Sequence, residues 1–251
     1  MVDNVNDFET NLLHFIIYKK LDKLSQLLSI HRDQISLIHH QISNIFFAAG
    51  RGHLNIIKLL RSYGFAWNSD CVANAAMNGN LDCLQYMLEN GCEYSWHAAD
   101  EAAARGHLEI LKFLHLFGCE IHTSAANEAS ANGHLECLQF LVKECNVQVN
   151  YDTTKSAFES KHFDCFTFLI FEAKCTFDIN YLISNISLVD WNHKKLRKFM
   201  FLFHTEYAHM DAEFDCYVSA IKAQIKGETE GVIKYCDINE QVIRFVLLEY
   251  I

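Results

Sequence analysis

The sequence predicts an all-α solenoid of stacked helix-turn-helix repeats. Three observations predict it: a Gly-x-Leu turn recurs every 27 residues, the flanks of each turn carry helical apolar stripes, and the 251-residue chain has no proline. Proline breaks helix interiors, so its absence suits a mostly helical chain. It also excludes collagen-like, polyproline and Pro-rich linker readings. Apolar residues make up 51% of the chain, enough for a continuous core and against a disordered chain.

The elements follow in order. Segments 8–18 and 21–30 have the form of a helix pair, and 31–41 is an insertion or a longer finger. The regular turns are Gly52-His53-Leu54, Gly79-Asn80-Leu81, Gly106-His107-Leu108 and Gly133-His134-Leu135, with a weaker copy at Lys161-His162-Phe163. Before each turn a first helix carries small residues at i, i+3, i+4 and i+7: Val72, Ala75, Ala76, Gly79, then Ala99, Ala102, Ala103, Gly106, then Ala126, Ala129, Ser130, Gly133. That spacing lines one helix face, and alanine there lets neighbouring helices approach closely. After each turn a second helix carries Leu81, Leu84 and Leu88, matched by Leu108 and Leu111 and by Leu135, Leu138 and Val142. Ser69, Ser95 and Thr123 are expected N-caps of the first helices. Gly64, Gly91 and Gly118 close three units. One helix pair cannot bury both stripes, whereas stacked pairs share a core.

These boundaries give a divergent N-terminal repeat and insertion at 1–43, regular repeats at 44–175, and divergent C-terminal repeats with a capping helix at 176–251. Seven units are counted in all. A separate C-terminal domain at 176–251 is the alternative.

The recurring A-A-x-x-G-H-L-E-x-L-x-x-L pattern resembles the ankyrin-repeat family across about 44–170. It is most similar to the short, Cys-bearing repeats of amoebae, other protists, oomycetes and giant viruses. Two departures stand out. The family's usual unit has 33 residues against 27 here, and its T-P-L-H opening is replaced by Asp70-Cys71-Val72-Ala73 and its equivalents. Six missing residues are about what a β-hairpin finger needs, so the central repeats are expected to lack long fingers. The resemblance implies a protein-protein interaction module, a scaffold or adaptor, with the first-helix surface rather than fingertips as the binding face.

Charge and chemistry narrow the function classes. The formal net charge is -10, which repels phosphate backbones, so no nucleic-acid partner is expected. The acidic start has no signal-peptide pattern, and the apolar runs are far below the ~20 residues of a membrane helix. An intracellular, cytoplasmic monomer is expected, in the host cytoplasm if the protein is viral. The ten cysteines form no C-x-x-C pair, and Cys83, Cys137 and Cys165 recur on an apolar helix face as small buried hydrophobes. Cys92 and Cys119 fall in predicted loops and would be the reactive pair if any are. His53, His107, His134 and His162 share one turn column, which spreads them a repeat apart rather than around one ion. No nucleophile elbow or phosphate-binding glycine loop appears. No catalytic residue, metal or cofactor is expected.

The first helices turn a polar stripe outward. Asn74, Glu101 and Glu128 share a column, Lys155 continues it, and Met77, His97, Asp100 and Asn127 flank it. Trp96 is off-pattern, because its column otherwise holds Ser69 and Thr123. Tryptophan is enriched at interface hot spots, so Trp96 is a candidate anchor. These nine residues form the candidate binding surface for a neutral or basic protein partner. The alternative is an enzyme or ligand-binding protein with its site in 176–251, where His193, His204, His209, Asp211 and Asp215 would have to converge.

Overall fold

The computed structural model describes residues 2–32, 35, 41–175, 177 and 181. Most of segment 31–41 lies outside the described residues. So do the C-terminal repeats and capping helix expected over 176–251, and the five His and Asp residues of the alternative site.

Among the described residues every regular element is helical. The first helices of successive pairs are α1 (Val2–Ile17), α3 (Gln41–Gly50), α5 (Ser69–Met77), α7 (His97–Ala104), α9 (Thr123–Ala131) and α11 (Tyr151–Glu159). The second helices are α2 (Leu21–Ile30), α4 (Leu54–Ser62), α6 (Leu81–Glu89), α8 (Leu108–Phe117), α10 (Leu135–Lys143) and α12 (Phe163–Thr167), the last running into a π-helical turn at Phe168–Glu172. No described residue is in a β-strand, and loops 63–68, 90–96 and 118–122 are too short for a hairpin finger. The expected all-α solenoid without long fingers in the central repeats is what the described residues form.

The chain divides into two compact units, residues 1–129 with 136–147, and residues 130–135 with 148–251. In the first unit the helices form two layers. First helices pack in the order α1, α3, α5, α7, and second helices in the order α2, α4, α6, α8. Ala75, Ala76, Ala98, Ala99, Ala102 and Ala103 are all buried in the first-helix layer. With only a methyl group at each site, α5 lies close against both α3 and α7. The second helices bury Ile56, Ile57 and Leu60, then Cys83, Leu84 and Met87, then Ile110, Leu111 and Leu114. A fully buried aliphatic side chain of this size contributes about 1.5–3 kcal/mol, so this layer is the main apolar store of each repeat.

Two local expectations are corrected. The second-helix stripe is rotated from the expected one, since Leu81, Leu108 and Leu135 are only half-buried. They open their helices beside the turn, and the residues two, three and six places further on face the first-helix layer. The caps also shift by a residue. Asn68, in extended backbone (φ -145°, ψ -179°), caps α5 in place of Ser69, and Trp96 occupies the cap of α7 in place of Ser95. Neither side chain closes its helix end: Asn68 Nδ2 donates to Asp70 Oδ2 at 2.9 Å, and Ser95 Oγ lies 3.0 Å from His97 Nδ1. Thr123 is the first residue of α9.

The Gly-His-Leu turn explains its own recurrence. At Gly79 (φ +74°) the chain reverses, with the Gly79 amide donating to Ala76 O at 3.2 Å and the Asn80 amide to Ala75 O at 2.9 Å. This left-handed cap satisfies the last carbonyls of the helix, and glycine adopts it without strain. The residue after the glycine then ties its unit to the preceding one. His53 Nδ1 lies 3.0 Å from Ile16 O, Asn80 Nδ2 donates to Ala49 O at 2.8 Å, and His107 Nε2 lies 3.2 Å from Met77 O. A carbonyl only accepts, so each of those ring nitrogens carries its proton. Burial holds the His53 imidazole below the usual histidine range, with Lys19 and Arg51 adding to that and the Ile16 bond opposing it. His53, Asn80 and His107 are therefore inter-repeat staples. Lys161 takes the glycine place with φ +64°, and the same turn forms there, His162 N donating to Ala157 O at 2.9 Å.

In the second unit, α11 carries a complete capping box. Thr153 N donates to Asn150 Oδ1 at 3.2 Å, and Asn150 N donates to Thr153 Oγ1 at 3.3 Å. The phenylalanine tract supplies core: Phe163, Phe166, Phe168 and Phe171 are buried, and Phe177 is half-buried. Phe166 packs against Phe158 and Phe177, at 5.4 and 5.2 Å between ring centroids. Ser130, in the small-residue column, is fully buried and donates to Thr153 O at 2.8 Å, so its hydroxyl carries no desolvation penalty.

Candidate functional site

The candidate surface is set by how α5, α7 and α9 begin. Each follows a short loop, and each buries its alanine face, which leaves the opposite side of the first turns outward. Trp96 and Asp100 sit four residues apart at the start of α7, and Asp100 N donates to Trp96 O at 3.2 Å. Four-residue spacing places them on one helix face. On α9, Ser124 and Glu128 repeat that spacing, and Ser124 Oγ donates to Asp100 Oδ1 at 2.8 Å, joining the two pairs.

Trp96 is 42% exposed, as an off-pattern anchor would be. Its indole stacks on His97, at 3.8 Å between centroids and 22° between planes, and meets His122 edge-on at 6.2 Å. Below them Asp100 is half-buried. Burial pushes its carboxyl above the usual range, the Ser124 hydroxyl pulls it back, and Glu128 raises it further, with weaker lowering by His97 and His122. Tyr94 completes the mouth, its hydroxyl donating to Glu120 O at 2.9 Å, and burial shifts its phenol upward.

The structure thus brings together Trp96, His97, Asp100 and Glu128, and adds His122 and Ser124. The other candidates fall elsewhere. Asn74 is half-buried and donates through Nδ2 to Phe46 O at 2.8 Å, bridging α5 to α3. Met77 is half-buried, and its carbonyl receives the His107 ring. Glu101 and Asn127 are half-buried. Lys155 belongs to the second unit, where its ammonium lies 3.8 Å from Glu159 Oε1 and 5.6 Å from the Tyr181 ring centroid.

The segments 64–80, 91–104 and 118–129 hold Asp70, Glu93, Asp100, Glu101, Glu120 and Glu128 and no Lys or Arg, with Arg105 following directly at the end of α7. The second helices are mixed in charge, with Lys58, Arg61, Lys112 and Lys143 beside Asp82, Glu89, Glu109 and Glu136. Two of these cations lie over rings, Arg61 at 4.0 Å from the Trp67 centroid and Lys58 at 5.2 Å from that of Tyr86.

Sequence reasoning missed Leu116 and Phe117, which are 85% and 47% exposed at the end of α8. Phe117 stacks on Phe113 at 5.5 Å. The signal was available: the column of Leu116 otherwise holds Ser62, Glu89 and Lys143.

Cys92 and Cys119 lie in loops, as expected, but their surroundings do not favour a reactive pair. Cys92 is buried, its thiol donates to Asn68 O at 3.2 Å, and burial pushes it up to about 12. Cys119 is half-buried and is pushed up to about 11 by the same cause. Reactive thiols need the opposite shift, so burial works against a nucleophilic role for either. Among the described residues no three His, Cys, Asp or Glu side chains group to hold a metal ion, and no helix is long and apolar enough to cross a membrane.

Paired helices in two layers, tied by a repeated turn, define a helical-repeat protein. Its family follows from comparison. Residues 99–181 match the family model for ankyrin repeats (3 copies), and residues 72–115 match that for ankyrin repeats (many copies). Residues 72–181 of this chain are ankyrin repeats. Among solved structures it is similar to the human ASB11 ankyrin repeat domain, at 20% identity over 63% of this chain and 81% of that one, with a TM-score of 0.53. That likeness is one of fold. No curated protein matches the chain. Ankyrin repeats are generally protein-protein interaction modules.

Proposed function

We propose that this chain is a non-enzymatic adaptor that binds a neutral or basic protein through the outward side of its first helices. The carrying observation is the exposed Trp96 one helical turn before the Asp100 carboxylate at the start of α7. Packed helices hold these side chains before a partner arrives, so little ordering entropy is lost on binding. Of the nine residues singled out in the sequence, those of the first unit remain the proposed surface, with Trp96, His97, Asp100 and Glu128 at its centre and Asn74 at its margin, and Lys155 remains a candidate of the second unit. The chain is proposed to act as a monomer inside the cell, in the cytoplasm.

The test is an affinity capture from a matched cell lysate with quantitative mass spectrometry. Wild type is compared with the triple variant Trp96→Ala, Glu101→Lys, Glu128→Lys, after circular dichroism shows equal helicity. A protein held by wild type and lost by the variant supports the reading. The same set recovered by both refutes this face.

A further inference from the structure

The chain holds three Asn-Gly pairs, Asn78-Gly79, Asn90-Gly91 and Asn132-Gly133. Asparagine is chemically labile, and most so before glycine, whose bare α-carbon leaves its amide nitrogen open to close approach. We propose that Asn90-Gly91 is the pair at which the folded chain deamidates, and that the product loosens the end of α6 and the loop leading to Trp96.

The reaction runs through a cyclic imide. The Gly91 amide gives up its proton to water or hydroxide, and its nitrogen attacks Cγ of Asn90. A C–N bond forms, the Cγ–Nδ2 bond breaks, and ammonia leaves. Water then opens the imide at either carbonyl, which leaves an aspartyl or an isoaspartyl residue. Water is the only co-reactant.

The attack needs the glycine amide freed from its turn, so whatever locks the turn slows it. The three turns share one bond. The Gly79, Gly91 and Gly133 amides donate to Ala76 O, Leu88 O and Ser130 O, at 3.2, 3.1 and 3.4 Å. What lies over the glycine differs. A β-carbon at Gly79 would meet the His107 ring at 2.8 Å, and one at Gly133 would meet the His162 ring, whereas one at Gly91 meets nothing within 4 Å. The His107 ring is also held at 3.2 Å from Met77 O, the carbonyl directly before Asn78. The asparagine side chains differ too. Asn78 Nδ2 donates to Asn74 O at 2.9 Å and to Asn74 Oδ1 at 3.1 Å, and Asn74 is bonded on to α3. Asn90 Nδ2 donates to Tyr86 O at 2.8 Å, within its own exposed helix end. Opening the turn at Gly91 breaks bonds local to the end of α6. Opening either of the others also displaces a ring packed from the next repeat, and local opening is what frees backbone groups in a folded chain.

The product changes the helix end. The Asn90 amide satisfies Tyr86 O, and an ionised carboxylate in its place only accepts. It also sets a negative charge at the negative end of the α6 dipole. The isoaspartyl form adds a methylene to the main chain, six residues before Trp96.

The full chain is aged in warm, mildly alkaline buffer, folded and in high urea, and conversion at each pair is read by peptide mapping with mass spectrometry. In urea the three pairs convert within about twofold of one another, because the fold no longer separates them. In the folded chain Asn90 converts about fivefold faster than Asn78 and Asn132, the equivalent of one net hydrogen bond in the cost of opening. His107→Ala uncovers Gly79 and brings Asn78 to within about twofold of Asn90, with circular dichroism to show that the variant folds. Asn90→Asp, which makes the aspartyl product directly, lowers the thermal midpoint by about 2–4 °C. Equal rates in the folded chain overturn the proposal. So does faster conversion at Asn78 or Asn132, or none at Asn90 while the urea sample converts. A folded His107→Ala variant in which Asn78 stays slow overturns the protective role of the ring, and an unchanged midpoint in Asn90→Asp overturns the loosening of α6.

Discussion

Gly79 and Gly91 have nearly the same backbone, φ +74° and +81°, yet they do different work. A β-carbon at Gly91 meets nothing within 4 Å, whereas one at Gly79 would lie 2.8 Å from Cε1 of His107. That ring cannot step aside without giving up its contact with Met77 O. Gly91→Ala should therefore cost about 1 kcal/mol of left-handed strain, and Gly79→Ala about 2–3 kcal/mol, because the staple is lost as well. Urea unfolding of the two variants measures the difference; equal losses would remove the staple from the account. The same contrast runs through the column shared by Asn74 and Glu101. Asn74→Ala breaks the bond to Phe46 O and should cost about 1 kcal/mol. Glu101→Ala, with no such bond among the described residues, should stay within about 0.5 kcal/mol of wild type.

At the scale of elements, spacing is governed by the alanine faces. Ala102 is fully buried in the first-helix layer. Ala102→Leu forces extra volume into a contact that admits only methyl groups, and should destabilise by about 1–3 kcal/mol. Thermal unfolding by circular dichroism reads this directly, and an unchanged midpoint would mean the layer is loosely packed. These faces were legible in the sequence, because Ala75, Ala102 and Ala129 repeat at a fixed period with their i+1 partners. The turn was legible for the same reason. What the sequence concealed was register within an element. Leu81, Leu108 and Leu135 repeat as faithfully as the buried leucines, and periodicity alone does not separate a residue beside a turn from one facing the core. The caps were concealed too, since Asn68 and Ser69 are both good cap residues and only the backbone decides between them. Trp96 could be picked out because it breaks its column. Its companions His122 and Ser124 could not, because what matters is their contact across to α7, some 24 residues away in sequence. Asn74 illustrates the converse: an outward column position whose amide is already committed to α3.

For the whole molecule, the buried thiols set a pH response. Cys83, Cys119, Cys137 and Cys145 are pushed up to about 11 and Cys92 to about 12, all mainly by burial. From their ordinary value of 9.0 up to those limits, the folded chain retains protons that the unfolded chain releases. Stability must then fall as pH rises through that window. The urea midpoint should be flat to about pH 8.5 and drop steadily above about pH 9. A midpoint still flat at about pH 10.5 would place these thiols in contact with water. At neutral pH the same burial keeps them protonated, and the proposed working surface is the outward first-helix side.

That surface is tested most directly by hydrogen-deuterium exchange of the full chain, alone and with the partner that the affinity capture recovers. The account predicts slower exchange over 93–104 and 118–129 when the partner is bound, and unchanged exchange along α8. Protection confined to α8, around Leu116 and Phe117, would contradict it and move the interface to the second helices.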